Sequence, residues 1–214
     1  MNPLIGIFGG AFDPVHIGHL RLAIELRQRL GLQCVHLIPT GTPVHREGPA
    51  ASGEQRLAML RLAIDGEAGL HVDAREVERD EPSFMVDTMN DVRRQYPAHQ
   101  QCLLLGMDQF AAFDSWYRWE DILDTAHIVV IQRNAVTPPT YGAMARALAQ
   151  RQVSDVKDLA DSETGSILFV NAPLLDVSST RVRLLIATGR GARYLVPDGV
   201  LDFIKREGLY TNDK

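Results

Sequence analysis

Gly6-Ile-Phe-Gly-Gly-Ala-Phe-Asp-Pro-Val-His-Ile-Gly-His19 is the stretch from which the rest of the chain is best read. It continues an apolar run over residues 4–8 that has the character of a buried strand. It leads into residues 18–30, where Leu20, Ala23, Ile24 and Leu30 recur at helical spacing. Gly9 and Gly10 close the strand and let backbone approach a ligand. Asp13-Pro14 sets a turn. His16 and His19, three apart at a helix start, share one face. The N–H groups of a helix start favour an anion, and imidazole donors there suit a phosphate that gains charge in a transition state.

Outward from this element the same alternation repeats. Residues 34–38, 71–72, 102–105, 128–131 and 167–170 read as strands, and 54–64, 86–96, 144–150, 179–188 and 198–207 as helices. Ser52 and Gln55 form a capping-box pattern, and Gly189 and Gly208 stand where helices stop. This alternation predicts an α/β fold: a doubly wound, Rossmann-like parallel sheet with helices on both faces and a small C-terminal helical part over about 172–214. The expected domain is single, 1–214. Ligands of such sheets bind beyond the carboxyl ends of the strands. Residues 40–53 fall on that edge and are a candidate substrate loop, whereas 134–142 and 153–165 read as plain connections.

Of the 214 residues, 45% are hydrophobic and 23% charged, with a formal net charge of −5. That balance offers no global attraction to nucleic acid or to a membrane surface. No basic region followed by a long apolar stretch opens the chain, and no apolar run reaches spanning length, so the cytoplasm is the expected location. Cys34 and Cys102 sit in apolar runs and read as free buried thiols. A zinc site lacks a ligand set, because no further Cys/His cluster accompanies His16 and His19. The P-loop and the Gly-x-Gly-x-x-Gly fingerprint are both missing.

Near the C-terminus, Val177-Ser-Ser-Thr-Arg-Val-Arg183 opens a helix. Ser178, Ser179 and Thr180 can cap it or bind phosphate oxygens, and Arg183 can point to the same end. By itself the hydroxyl run favours capping.

The first loop resembles the signature of the nucleotidylyltransferase superfamily, and Ser-Ser-Thr-x-x-Arg resembles its second signature. His16-Ile-Gly-His19 also matches the short signature of class I aminoacyl-tRNA synthetases, which need a lysine-rich second signature; here no lysine precedes Lys157. Within the superfamily, the chain resembles the nicotinate-nucleotide adenylyltransferase family over nearly its whole length. The further matching segments are Ile38-Pro-Thr-Gly-Thr-Pro-Val-His-Arg46, Glu81-Pro-Ser-Phe-Met85, Leu105-Gly-Met-Asp108, Ser115-Trp-Tyr117 and Gly208-Leu-Tyr210.

That resemblance implies an enzyme joining ATP and nicotinate mononucleotide into deamido-NAD, with Mg2+ accompanying ATP and no fixed metal site. His16, His19 and Arg183 are the implied catalytic residues. Gly9, Gly10, Phe12, Gly106, Asp108, Ser178, Ser179 and Thr180 join them in binding ATP, with Gly106 and Asp108 on ribose. His45, Arg46, Ser83, Phe84, Met85, Trp116, Tyr117 and Arg133 are implied for the mononucleotide, with Trp116 stacking on pyridine. The alternative readings of Trp116 as a core aromatic and of Asp108 as a helix cap stay open. Arg46 for lysine, Met85 for threonine and Arg133-Asn-Ala for Arg-Pro-Gly depart from the family pattern. Backbone N–H groups near Phe84 and Tyr117 are then the expected readers of the nicotinate carboxylate. A nicotinamide-using or dual-specificity enzyme, phosphopantetheine adenylyltransferase and a non-catalytic nucleotide sensor are the alternatives. Nucleic acid and membrane are not expected partners, and a homo-oligomer is compatible with the sequence.

Overall fold

A computed structural model describes residues 2–41, 49–132, 137–173 and 175–211. Seven strands form a Rossmann-like sheet: β1 (Leu4–Gly10), β2 (Cys34–Pro39), β3 (Leu70–Val72), β4 (Gln100–Gly106), β5 (His127–Gln132), β6 (Gln152–Val153) and β7 (Ile167–Asn171), in the order β3-β2-β1-β4-β5-β7-β6. The pairings of β1 with β4, β4 with β5, β5 with β7 and β6 with β7 are all parallel. The expected strands are present. Their central residues, among them Ile5, Ile7, Leu37, Leu103, Leu104, Val129 and Val130, are buried. Near-continuous apolar strands are what a parallel sheet covered by helices demands.

The described helices are α1 (Ile17–Arg29), α2 (Gly53–Ala63), α3 (Met85–Gln95), α4 (Met107–Ala111), α5 (Trp119–Leu123), α6 (Gly142–Arg151), α7 (Val156–Asp161), α8 (Ser179–Ala187) and α9 (Asp198–Arg206). The capping box at α2 forms as the sequence suggests: Ser52 Oγ accepts from Gln55 N–H at 3.2 Å, and Gln55 Oε1 accepts from Ser52 N–H at 3.0 Å. Gly189 and Gly208 adopt left-handed φ values of 67° and 60° where α8 and α9 end, a conformation other residues reach only at a cost.

The stretch 153–165, expected to be plain connection, instead carries the end of β6 and then α7. Asp155 caps α7 by accepting from Lys157 N–H, and Asp158 reaches back to Asp155 N–H. Between β4 and β5 lie α4, a 3-10 turn (Phe113–Ser115) and α5. Each is too short to display a helical period, and each is pinned by buried apolar residues such as Met107, Phe110, Phe113 and Ile122.

The residues group into two compact units. One comprises 1–8, 26–36 and 84–172, and the other 9–25, 37–83 and 173–214. The first holds β4, β5, β6 and β7 with α3–α7. The second holds the loop after β1, together with α2, α8 and α9, and in it α2 packs on α9. Among the described residues no helix is long and apolar enough to cross a membrane.

Candidate active site

The second unit contains the phosphate-type residues. Gly9 and Gly10 are the last residues of β1, and a Cβ on Gly10 would lie 3.2 Å from the Phe12 ring. The left-handed backbone in this loop belongs to Phe12, with φ of 49°. For a bulky residue that conformation is strained, and the surroundings must hold it. Phe12 is buried, and its ring meets His19 edge-on at 5.0 Å between centroids.

His16 and His19 stack, with ring centroids 3.6 Å apart and planes 20° apart. His19 Nδ1 accepts the N–H of His16 at 3.3 Å. In the neutral ring the proton therefore sits on Nε2, which makes that nitrogen the donor. His16 is buried, and desolvation lowers its pKa to about 4, so it is uncharged at neutral pH. Its Nδ1 is buried without a hydrogen-bond partner among the described residues. The glycine between the histidines is steric: a Cβ on Gly18 would come within 3.0 Å of His16 Cε1 and Nδ1. Fewer helix-start donors remain than the sequence suggests, because Ile17 N–H donates to the Leu195 carbonyl at 3.0 Å.

The serine-rich helix start lies on the same loop. Ser179 Oγ donates to the Pro14 carbonyl at 2.9 Å, across 165 residues of chain. Arg183 Nη1 donates to the Asp13 carbonyl at 2.7 Å, and its Nη2 reaches Thr180 Oγ1 at 3.4 Å. Ser178 caps α8 by accepting from Arg181 N–H at 3.2 Å, the bland role its sequence allowed.

Sequence reasoning gave Asp13 only a turn. Its carboxylate is a buried hub, accepting from Ala50 N–H at 2.8 Å, Ala51 N–H at 3.1 Å and the Tyr210 hydroxyl at 2.7 Å. Arg183 Nη1 stands 3.7 Å from it. Buried Arg56 donates to the carbonyls of Ala11 and Ala51. Burial lowers the Arg56 pKa against the opposing pull of Asp13. No local pattern joins Arg56 to Ala11 or Tyr210 to Asp13, since these partners lie 45 and 197 residues apart in sequence.

In the first unit, Gly106 ends β4, and its N–H donates to Gln109 Oε1 at 3.3 Å. Asp108 is exposed at the second position of α4, and a Cβ on Gly106 would lie 2.7 Å from Asp108 Oδ1. Phe84 precedes α3, whose first turn has no side-chain cap. The Phe84 ring lies 4.7 Å from that of Tyr117, which is 56% exposed. Trp116 is half-buried and tilted against Phe113 at 5.2 Å, so part of its ring is core and part is available. Met85 opens α3. Ser83, in the second unit, donates to the Glu76 carbonyl at 3.4 Å. His45, Arg46 and Arg133 lie outside the described residues.

The family described as cytidylyltransferase-like matches residues 7–185. The probable nicotinate-nucleotide adenylyltransferase of Aeromonas hydrophila is 45% identical over 210 residues, covering 98% of each chain. The protein of the same description from Pseudomonas syringae pv. tomato is 46% identical over 207 residues, covering 96% of this chain and 93% of its own. Plasmodium falciparum nicotinic acid mononucleotide adenylyltransferase, solved in complex with NaAD, superposes with a TM-score of 0.72 over 97% of both chains, at 15% identity. With near-complete coverage by relatives of this identity, the chain belongs to the nicotinate-nucleotide adenylyltransferase family, a nucleotidyltransferase family of the cytidylyltransferase-like type.

Proposed function

We propose that the chain transfers the adenylyl group of ATP to nicotinate mononucleotide, giving deamido-NAD and pyrophosphate as a step of NAD biosynthesis. The observation that carries this reading is the locking of α8 onto the histidine loop, through Ser179 on Pro14 and Arg183 on Asp13. It gathers donors of the kind a triphosphate needs in a chain whose near-full-length relatives bear that activity's name. The mononucleotide's phosphate oxygen attacks the α-phosphorus, a P–O bond forms, and the bond to the β-phosphate breaks, with its electron pair leaving on pyrophosphate. The nucleophile is already anionic, so the protein's task is alignment and charge stabilisation. The His19 imidazole donates from Nε2 to the α-phosphate, and His16 assists as a neutral dipole. Arg183, Ser179 and Thr180 hold the β- and γ-phosphates, with Ser178 fixing the turn that presents them.

Gly106 and Asp108 take ribose. Trp116 offers its half-exposed ring to pyridine, and the uncapped start of α3 beside the Phe84–Tyr117 pair offers N–H donors to a carboxylate. That chemistry favours nicotinate over nicotinamide, even though Met85 supplies no hydroxyl. Among the described residues no group of three or more His, Cys, Asp or Glu is placed to hold a metal. Magnesium would travel with the triphosphate, held by phosphate oxygens and water. The test is a product assay on the purified chain with ATP and each pyridine mononucleotide in turn. Deamido-NAD and pyrophosphate are the expected products. Preferential use of nicotinamide mononucleotide would replace the substrate, and ATP binding without pyrophosphate release would leave only a nucleotide sensor.

A further inference from the structure

Tyr210 follows α9 and is assigned to no substrate. Its hydroxyl nevertheless donates to Asp13 Oδ1 at 2.7 Å. Asp13 is 5% exposed, so its carboxylate depends on protein donors. Among the described residues three supply them: two backbone N–H groups at Ala50 and Ala51, and the Tyr210 hydroxyl. Arg183 is the nearby competitor. Its Nη1 donates to the Asp13 carbonyl at 2.7 Å but remains 3.7 Å from the carboxylate, short of a hydrogen bond.

A buried carboxylate that loses a donor recruits the nearest cation, and a carboxylate–guanidinium pair readily becomes bidentate. Without the Tyr210 hydroxyl, Asp13 would draw in the Arg183 fork. The guanidinium would leave the Asp13 carbonyl and turn its donors away from Thr180. We infer that Tyr210 is a positioning residue: by satisfying Asp13, it keeps the Arg183 guanidinium on the histidine-loop backbone with its charge available to the triphosphate. This inference rests on the phosphate-binding reading of Arg183. The hydroxyl acts as a donor throughout, since burial and the Asp13 carboxylate both raise the Tyr210 pKa.

The experiment is steady-state kinetics on the full chain, varying ATP and nicotinate mononucleotide separately, for the wild type, Tyr210→Phe, Asp13→Asn and the double variant. Tyr210→Phe should raise the KM for ATP about tenfold, the scale of one hydrogen bond to a charged group. The KM for the mononucleotide should stay within about twofold of the wild type. A purely structural defect lowers the active fraction and hence kcat, and moves neither KM. In the Asp13→Asn background the Tyr210→Phe change should add nothing, because the hydroxyl acts only through the carboxylate. An ATP KM unchanged in Tyr210→Phe, or a rise that persists in full beside Asp13→Asn, overturns the inference. Should Tyr210→Phe not fold, Asp13→Asn decides alone: with no carboxylate to draw the guanidinium its ATP KM should stay near the wild-type value, and a tenfold rise there counts against the inference. A wild-type chain making no dinucleotide would remove the functional reading itself, whereas an active wild type with a wild-type-like Tyr210→Phe removes only the role of Tyr210.

Discussion

At the scale of single residues, the two histidines differ in how they are held. The His19 ring accepts a backbone N–H at Nδ1, which fixes the tautomer and orients Nε2 as a donor. His19→Ala removes that donor while leaving the His16 backbone in place. Turnover is expected to fall roughly 10²-fold or more, the scale for losing one transition-state donor, with little change in the thermal midpoint. Single-turnover rates with saturating ATP check this. Trp116 is half-buried, with its ring tilted against that of Phe113. Trp116→Ala is expected to raise the KM for the mononucleotide by about tenfold while the KM for ATP stays near wild type, as loss of one aromatic stack implies. Initial rates with each substrate varied in turn measure it.

At the scale of elements, three helix starts carry the design in different ways. The α2 start closes on itself through the reciprocal Ser52–Gln55 pair, immediately after Ala50 and Ala51 donate to Asp13. Ser52→Ala is expected to cost about 1 kcal/mol of unfolding free energy, measured by urea denaturation. The α8 start spends Ser178 on its cap and Ser179 on Pro14, so its place against the histidine loop is fixed before any ligand arrives. The α3 start has no side-chain cap, the condition under which helix N–H groups remain to bind an anion.

At the scale of the whole molecule, His16 and His127 are buried in the neutral form. Desolvation lowers both His16 and His127 from 6.5 to about 4. His127 accepts from Ser166 N–H at Nδ1, and its Nε2 is buried without a partner among the described residues. Above pH 6.5 both are neutral, folded or unfolded. Between pH 6.5 and about 4 the unfolded chain binds protons that the folded chain refuses, so stability falls as pH falls. Each contributes up to about 3 kcal/mol of that loss. Urea midpoints measured from pH 7.5 downward should decline through this window, and a His127→Asn variant should decline less steeply.

The primary sequence alone determined the strand–helix alternation, the Ser52 capping box, the glycine stops at Gly189 and Gly208, and the two phosphate-type segments, because each is written in neighbouring residues or a short period. It left the short helices at 107–111, 119–123 and 156–161 illegible, since one or two turns display no periodicity and only their buried side chains hold them. Tertiary structure alone decided that Ser179 donates to Pro14, that Phe12 rather than a glycine takes the left-handed backbone, and that Asp13 gathers Ala50, Ala51, Arg183 and Tyr210. Those outcomes depend on partners up to 197 residues apart. Contacts of that range arise when the folded backbone buries a carboxylate and leaves it to find its donors there.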